Sequence, residues 1–224
     1  MMPFPGGVEA PANGTLILSA VAALLYLALV RQPSSFRRTF AKTASTALLG
    51  VLVLVEGGPL LLAAALFLSA LGDLFLAEDS GRAFVAGLCS FLVAHLVYVA
   101  LFGMAGGGLA AFAAEPWRVA AAAMVVVFAG GMFLGLRPAL PGGMVVPVAI
   151  YVVAILAMGI AALTLPSPAV IVGAVLFMAS DAILASGRFL IPMRSERQAV
   201  VAPAVWVLYY TAQACIALGF LLHR

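Results

Sequence analysis

Residues 60–77 read LLLAAALFLSALGDLFLA, an apolar run of 18 residues in which Asp73 is the single charged group. A helix rises about 1.5 Å per residue and the hydrocarbon of a bilayer is about 30 Å thick, so one membrane span needs roughly 20 such residues. This run is therefore typical of a membrane-spanning helix that carries one acidic side chain.

The rest of the chain has the same apolar character. Of its 224 residues, 66% are hydrophobic and 8% are charged, and the mean hydropathy is +1.23. Soluble domains are about 45–50% apolar and about 25% charged. The composition excludes a water-soluble globule, a disordered chain and a basic domain that binds nucleic acid. It predicts an all-α integral membrane protein with a single transmembrane domain over residues 1–224.

Gly, Pro and charge clusters divide the chain into eight apolar segments. Each is interpreted as a helix, because backbone groups that face lipid must be hydrogen-bonded within their own segment. The predicted spans are 15–30, 42–55, 60–77, 83–102, 117–136, 145–165, 169–187 and 203–222. The second is short, and Thr39 is an alternative start for it. The glycine runs 106–108 and 142–143 are predicted to be loops.

The basic residues indicate how these spans are oriented. Nine of them lie in loops that follow odd-numbered spans: Arg31, Arg37, Arg38, Lys42, Arg82, Arg137, Arg188, Arg194 and Arg197. Arg118 and Arg224 lie on the other side. Because basic loops stay in the cytoplasm, both termini are predicted to be extracytoplasmic. We expect the protein in the inner (cytoplasmic) membrane of a bacterium.

Spans 3 and 7 share a short pattern of small residues that ends in an aspartate. Residues 68–73 read LSALGD and residues 177–181 read FMASD, and each is followed by an arginine, Arg82 or Arg188, at the cytoplasmic edge. A four-helix offset keeps the direction through the membrane, as in two parallel four-helix repeats. A chance match of two short runs explains the pattern equally well.

Two acidic residues lie inside the spans. The other six acids fall in predicted loops or outer segments: Glu9, Glu56, Glu78, Asp79, Glu115 and Glu196. At the helical rise, Asp73 and Asp181 lie about 20 Å and about 18 Å below the outer face, so they are at nearly one level. An ionisable group in a span costs about 2.5–3.5 kcal/mol on insertion scales and indicates a functional site. The alternative is that each aspartate only bonds a neighbouring helix.

Spans 4 and 8 add polar side chains near the same level. These candidates for a supporting role are His95, Tyr98, Tyr209, Tyr210 and Gln213. His95 and Tyr98 share a helix face, and Tyr209 and Tyr210 share a polar stripe with Gln213, which follows them by four and three residues. The alternatives are a packed histidine and an aromatic belt at the membrane interface.

The order of these residues resembles the YhhN-type lysoplasmalogenase family of multi-span membrane proteins. The similar stretches are 72–76 (GDLFL), 84–88 (FVAGL) with Phe91, 94–98 (AHLVY), Gly173-Ala174 with Phe177, 180–185 (SDAILA), Arg188-Phe189 and 209–213 (YYTAQ), together with Tyr151 and Met158. One departure, at the entry of span 2, is that Thr43 follows Lys42 where the family has proline.

This resemblance implies hydrolysis of the vinyl ether bond of lysoplasmalogens, with Asp73 and Asp181 as the catalytic pair. The products are a fatty aldehyde and glycerophosphoethanolamine or glycerophosphocholine. The bond is cleaved by protonation at carbon and addition of water, which suits one carboxylic acid and one carboxylate in a low-dielectric site. The sequence does not assign these two roles between the aspartates.

The expected partners are a single-chain ether phospholipid and membrane lipids, with no nucleic acid. Arg82 and Arg188 are candidates for binding the lipid phosphate, with ordinary cytoplasmic anchoring as the alternative. The scheme requires no metal and no cofactor, and the oligomeric state is left open. Two rival functions rest on the same aspartates: a proton-coupled transporter or lipid permease, and a structural membrane protein in which they only pack helices.

Overall fold

The computed structural model describes residues 2–78, 80–192 and 195–223, and within them all regular structure is helical. The α-helices are α1 (Pro11–Leu29), α2 (Phe36–Val55), α3 (Leu60–Phe75), α4 (Gly81–Ala105), α5 (Gly108–Ala114), α6 (Trp117–Leu136), α7 (Val145–Ala162), α8 (Pro168–Phe189) and α9 (Gln198–Leu221). Asp79, Arg194 and Arg224, which entered the sequence-based topology, lie outside the described residues.

Each of the eight predicted spans contains a helix. In the described part of the chain, seven helices are long and apolar enough to cross a membrane, while α3 is a shorter apolar helix of 16 residues. Four predicted starts were late by two residues or more, since the observed helices begin at Pro11 (α1), Phe36 (α2), Gly81 (α4) and Gln198 (α9). The first turn of α2 is polar, so hydropathy placed it in a loop. Pro203, the predicted start of the last span, lies inside α9. Ser35 caps α2 by accepting from the Arg38 backbone N–H.

The short helix α5 was not predicted. The glycine run before it is a loop as expected through Gly107, but Gly108 is the first residue of α5 and has a φ of +54°. The other glycine pair, Gly142-Gly143, lies in a single 3-10 turn before α7. A seven-residue helix with every residue partly or fully exposed carries no hydrophobic periodicity from which it could be recognised.

A tight turn makes α2 and α3 antiparallel neighbours. Gly57 has a φ of +60°, which glycine adopts without a Cβ clash. The N–H of Gly58 donates to the Val53 carbonyl at 2.6 Å, and that of Gly57 donates to the Leu54 carbonyl at 3.1 Å. This pair of bonds is the Schellman ending of a helix. It brings the polar face of α2 alongside α3 and Asp73.

The helices enclose a polar space near one end of the bundle. Helices α1 to α4 pack in sequence, α4 also contacts α7, α8 packs closely on α9, and α9 returns to contact α1 and α2. Fully buried side chains such as Phe102, Phe177 and Ile216 fill the centre. The start of α2, the end of α3 and the starts of α4 and α9 meet around one cavity.

Candidate active site

Both aspartates of the sequence analysis line one open cavity of about 640 Å³. Its walls come from α2, α3, α4, α8 and α9, with Tyr26 of α1. Asp73 on α3 is 2% exposed, and the side chain of Asp181 on α8 is 15% exposed. The carboxyl groups thus reach the same space from helices that are distant in sequence.

The Asp73 carboxyl is held by three donors. The Lys42 ammonium lies 3.4 Å from Oδ1. The Tyr209 hydroxyl donates to Oδ2 at 2.7 Å, and the Thr46 hydroxyl donates to the same oxygen at 3.0 Å. Lys42 and Thr46 are one helical turn apart on α2, so both face α3. A cation and two hydroxyl donors around one carboxyl favour its ionised form.

The Asp181 carboxyl has a different set of neighbours. The Tyr151 hydroxyl of α7 donates to Oδ2 at 2.6 Å, and His95 Nε2 of α4 lies 3.7 Å from the same oxygen. His95 Nδ1 is 2.6 Å from the Phe91 carbonyl oxygen. A carbonyl oxygen can only accept, so Nδ1 carries a hydrogen and Nε2 of the neutral ring is an acceptor aimed at Asp181.

Aromatic rings separate the two carboxyl clusters. The Tyr209 ring contacts Phe91 and Phe177 edge to face, at centroid distances of 5.6 Å and 5.4 Å. The His95 ring lies 4.7 Å from Phe177 and 5.2 Å from Tyr151. These contacts fix the rings that carry the donors, so the polar atoms are positioned by packing as well as by hydrogen bonds.

The structure places the remaining supporting candidates farther from the carboxyls. Tyr98 is fully buried and its hydroxyl donates to Gln213 Oε1 at 2.5 Å, which joins α4 to α9. The Tyr210 hydroxyl is hydrogen-bonded to Ser19 Oγ at 2.8 Å, and Ser19 donates to the Ser45 carbonyl. Tyr210 thus ties α9 to α1 and contacts neither aspartate in the described hydrogen bonds.

The two arginine candidates differ in position. Arg188 lines the cavity, and its guanidinium lies 4.9 Å from the centre of the Phe84 ring. Arg82 is exposed at the start of α4 and is outside the described lining of the cavity. Arg38 lines it as well and donates to the Gln32 carbonyl at 3.0 Å.

Sequence reasoning missed Lys42 and Thr46, and it gave Tyr151 no role. Lys42 was counted as a loop residue because span 2 was predicted to begin there, six residues after the observed start at Phe36. Its i, i+4 spacing to Thr46 is the signal that could have marked a polar face directed at α3. For Tyr151, an isolated hydroxyl in an apolar helix was a comparable signal, since a buried tyrosine hydroxyl usually has a partner.

The sequence pattern of the YhhN family matches residues 37–220. The chain belongs to the YhhN family. That range includes both aspartates and all the side chains that contact them. No solved structure is significantly similar to the chain.

Relatives of this YhhN chain are known by name from bacteria and mammals. A Mycobacterium bovis protein and a Mycobacterium tuberculosis protein, each named lysoplasmalogenase, are 38% identical over 165 residues, which is 71% of this chain and 60% of theirs. The bovine lysoplasmalogenase TMEM86A is 31% identical over 164 residues, 69% of this chain and 62% of its own. The chain therefore spans about six tenths of the length of these curated relatives.

Proposed function

We propose that this chain is a membrane-embedded lysoplasmalogenase, which hydrolyses the vinyl ether bond of 1-alkenyl-glycerophosphoethanolamine or -choline. The names of the relatives suggest the reaction. The observation that carries the proposal is that two carboxyl groups with contrasting partners line one cavity among apolar helices. Vinyl ether hydrolysis needs such a pair, one group to give a proton and one to stabilise positive charge.

Asp181 is the proton donor in this scheme. His95 Nε2 faces its carboxyl as an acceptor, and two acceptors approach each other favourably when one proton lies between them. His95 Nε2 has no hydrogen-bond partner among the described residues. An unprotonated ring nitrogen 3.7 Å from the carboxyl favours its neutral, protonated form, and the Tyr151 hydroxyl orients the carboxyl that delivers the proton.

Asp73 is the carboxylate in this scheme. Lys42, Tyr209 and Thr46 all favour its negative charge. A fixed carboxylate in a low-dielectric site stabilises a nearby cation far better than water does. The ion pair with Lys42 also keeps the charge of Asp73 compensated before substrate binds, which a buried carboxylate requires.

The reaction then balances in three steps. Asp181 transfers its proton to the alkenyl carbon beyond the ether carbon, and the double-bond electrons form the new C–H bond and leave an oxocarbenium ion. Water adds to the ether carbon and gives up a proton, which Asp73 accepts, so a hemiacetal forms. As the C–O bond of the hemiacetal breaks, Asp73 gives its proton to the leaving glycerol oxygen and Asp181 takes the proton of the hemiacetal hydroxyl. The products are the fatty aldehyde and the glycerophospho base, and both carboxyl groups return to their starting forms.

Arg188 is the candidate for the lipid phosphate, together with Arg38. Both line the cavity that holds the aspartates, and guanidinium groups bind phosphate with paired hydrogen bonds. We assign Arg82, whose side chain is exposed, to cytoplasmic anchoring. The proposed substrate thus has its phosphate at the cavity mouth and its ether bond deeper among the helices.

We further propose eight transmembrane crossings in a single domain over residues 1–224, with α3 as the eighth, both termini extracytoplasmic, in the cytoplasmic membrane of a bacterium. The asymmetry of the basic loops supports this orientation. The 16 residues of α3 span about 24 Å at the helical rise, so its ends lie near the polar boundary. A repeat of two parallel halves is supported by the close pairs α3–α4 and α8–α9, each carrying one aspartate.

The test is aldehyde release by the purified protein in detergent from lysoplasmenylethanolamine. The wild type should release fatty aldehyde, and Asp73→Asn and Asp181→Asn should each reduce kcat/KM by about 10²–10⁴. Glu196→Gln, an exposed loop acid changed in the same way, is the matched control and should keep full activity. The saturated 1-alkyl ether should be inert, because it has no double bond to protonate.

The outcomes separate the competing functions. Full activity in either asparagine variant would refute the assignment of the aspartates. Absence of aldehyde release from wild type, combined with lipid or proton flux in sealed vesicles, would replace the hydrolase with a transporter. Absence of both activities would leave a structural membrane protein.

A further inference from the structure

A second, smaller cleft borders the polar cavity. It is formed by α4, α6, α7 and α8, and its described lining is apolar except for Asp181 and Tyr151. Representative wall residues are Leu88, Ala129, Met132, Val152 and Met178.

The cleft and the polar cavity share part of their walls around Asp181. Five residues line both spaces: Leu76, Phe84, Phe91, Asp181 and Leu184. Four of these five belong to α4 and α8, so a passage between the two spaces would run between those helices. On one side of it the walls are almost entirely apolar, and on the other side they carry Arg38, Arg188 and Asp73. Asp181 is the carboxyl common to both.

We propose that this cleft binds the alkenyl chain of the substrate, with the chain leaving the cleft at Asp181. The inference rests on the proposed function, whose substrate is apolar at one end and phosphorylated at the other. A vinyl ether joins those two parts. A lipid with its chain in the cleft and its phosphate in the polar cavity must therefore have its ether bond in the passage beside Asp181.

The position of α6 offers the chain a route from the bilayer. Outward-facing residues of this helix are strongly exposed, with Val127 at 73% and Met124 at 70%, whereas Ala129 faces inward at 4%. Helix α6 packs mainly against α7, so its other flank faces the surrounding hydrocarbon. A chain that passes this flank stays in an apolar environment throughout, since Phe128 and Ala129 continue into the cleft wall.

The first measurement is the dependence of kcat/KM on chain length. Ala129→Phe adds a ring inside the cleft, and we expect the preference for long over short alkenyl chains to fall about tenfold or more, because each displaced methylene matters in a shaped apolar site. Met132→Ala removes wall volume and should shift the preference toward longer chains. Ala123→Phe is the same substitution at an exposed position of α6 and should leave the profile unchanged.

The second measurement is independent of turnover. A 1-alkyl lysophosphatidylethanolamine with a diazirine at the chain end should photolabel α6 and α7 near Met132 and Val152. Excess unlabelled 1-alkyl lysophosphatidylethanolamine should compete with this labelling, and Ala129→Phe should reduce it several-fold.

The two measurements distinguish failure of the chain site from failure of the proposed reaction. Aldehyde release with identical chain profiles in wild type, Ala129→Phe and Met132→Ala would overturn the chain site while leaving the hydrolase intact. Labelling that is spread over other helices, or that resists competition as bulk lipid would, overturns it as well. Competed labelling of α6 and α7 without aldehyde release would support the chain site and refute the hydrolase. If Ala129→Phe does not fold, Met132→Ala still tests the direction of the shift.

Discussion

Removing Lys42 should destabilise the protein more than removing the negative charge of Asp73. The ammonium and Oδ1 are 3.4 Å apart, and at an effective dielectric constant of about 20 this distance corresponds to about 5 kcal/mol of attraction. Desolvation of the two ions offsets much of that energy. The net effect of a substitution therefore depends on the environment of the charge that is left behind.

The two single variants leave different charges behind. In Lys42→Met, the carboxylate of Asp73 stays 2% exposed with two hydroxyl donors but no cation, and the free energy of unfolding should fall by about 3 kcal/mol. In Asp73→Asn, the amide oxygen can still accept from Thr46 and Tyr209. The Lys42 side chain is 11% exposed beside the cavity, so we expect a loss of about 1–2 kcal/mol.

Unfolding in detergent micelles by titration with SDS, followed by helical circular dichroism, measures these losses. The double variant Lys42→Met/Asp73→Asn should be more stable than Lys42→Met alone, with a coupling energy of about 2 kcal/mol. Arg37→Met, an exposed basic residue of the same helix, is the matched control and should change stability by at most about 0.5 kcal/mol. Additive losses, or a Lys42→Met variant as stable as wild type, would refute the buried ion pair.

Two further predictions concern the site and the packing around it. Tyr151→Phe removes the 2.6 Å hydrogen bond to Asp181 and should lower kcat/KM for aldehyde release by about 10-fold to 100-fold. The Tyr210 hydroxyl is hydrogen-bonded to Ser19 instead, so Tyr210→Phe should keep kcat/KM within about twofold of wild type. Equal effects of the two substitutions would contradict the assigned geometry. Gly173→Ala places a Cβ 2.8 Å from the Ala212 carbonyl oxygen and should lower the free energy of unfolding in SDS by about 1–3 kcal/mol. Gly130→Ala meets open space and should be neutral or stabilising. A Gly173→Ala variant as stable as wild type would show that α8 and α9 are more loosely packed.

The apolar runs were sufficient to predict where the helices lie, because every long helix carries the hydropathy that a bilayer requires. The start of α2 was not predictable from hydropathy, since its first turn contains polar residues that are compatible with either a loop or a helix end. The start of α9 was missed because the span was predicted to begin at Pro203, a residue typical of a first helical turn that here lies inside the helix. The short α5 was missed for a related reason, as it buries no residue completely. Hydropathy detects burial in lipid, and these segments have little of it.

The sequence predicted the two acidic residues of the candidate site but not the side chains that contact them. Asp73 and Asp181 stood out because an acid in an apolar run is costly. Their partners depend on which helices pack together. Lys42 contacts Asp73 because the turn after α2 makes α2 and α3 antiparallel neighbours, and Tyr151 contacts Asp181 because α7 lies beside α8. Tyr210 illustrates the same limit, because its spacing near Gln213 suggested a shared polar stripe, yet its hydroxyl bonds Ser19, 191 residues away.

The unequal neighbours of the two aspartates explain how one residue type can take two roles in one cavity. If α3–α4 and α8–α9 are copies of one ancestral unit, their aspartates began in equivalent positions. They now differ because α2 presents an ammonium and a hydroxyl to Asp73, whereas α4 and α7 present an imidazole acceptor and a phenol to Asp181. In a pair of carboxyl groups, the one whose environment favours the protonated form acts as the acid, and the one whose environment favours the ionised form acts as the base. The chemistry we propose therefore depends as much on Lys42 and His95 as on the aspartates themselves.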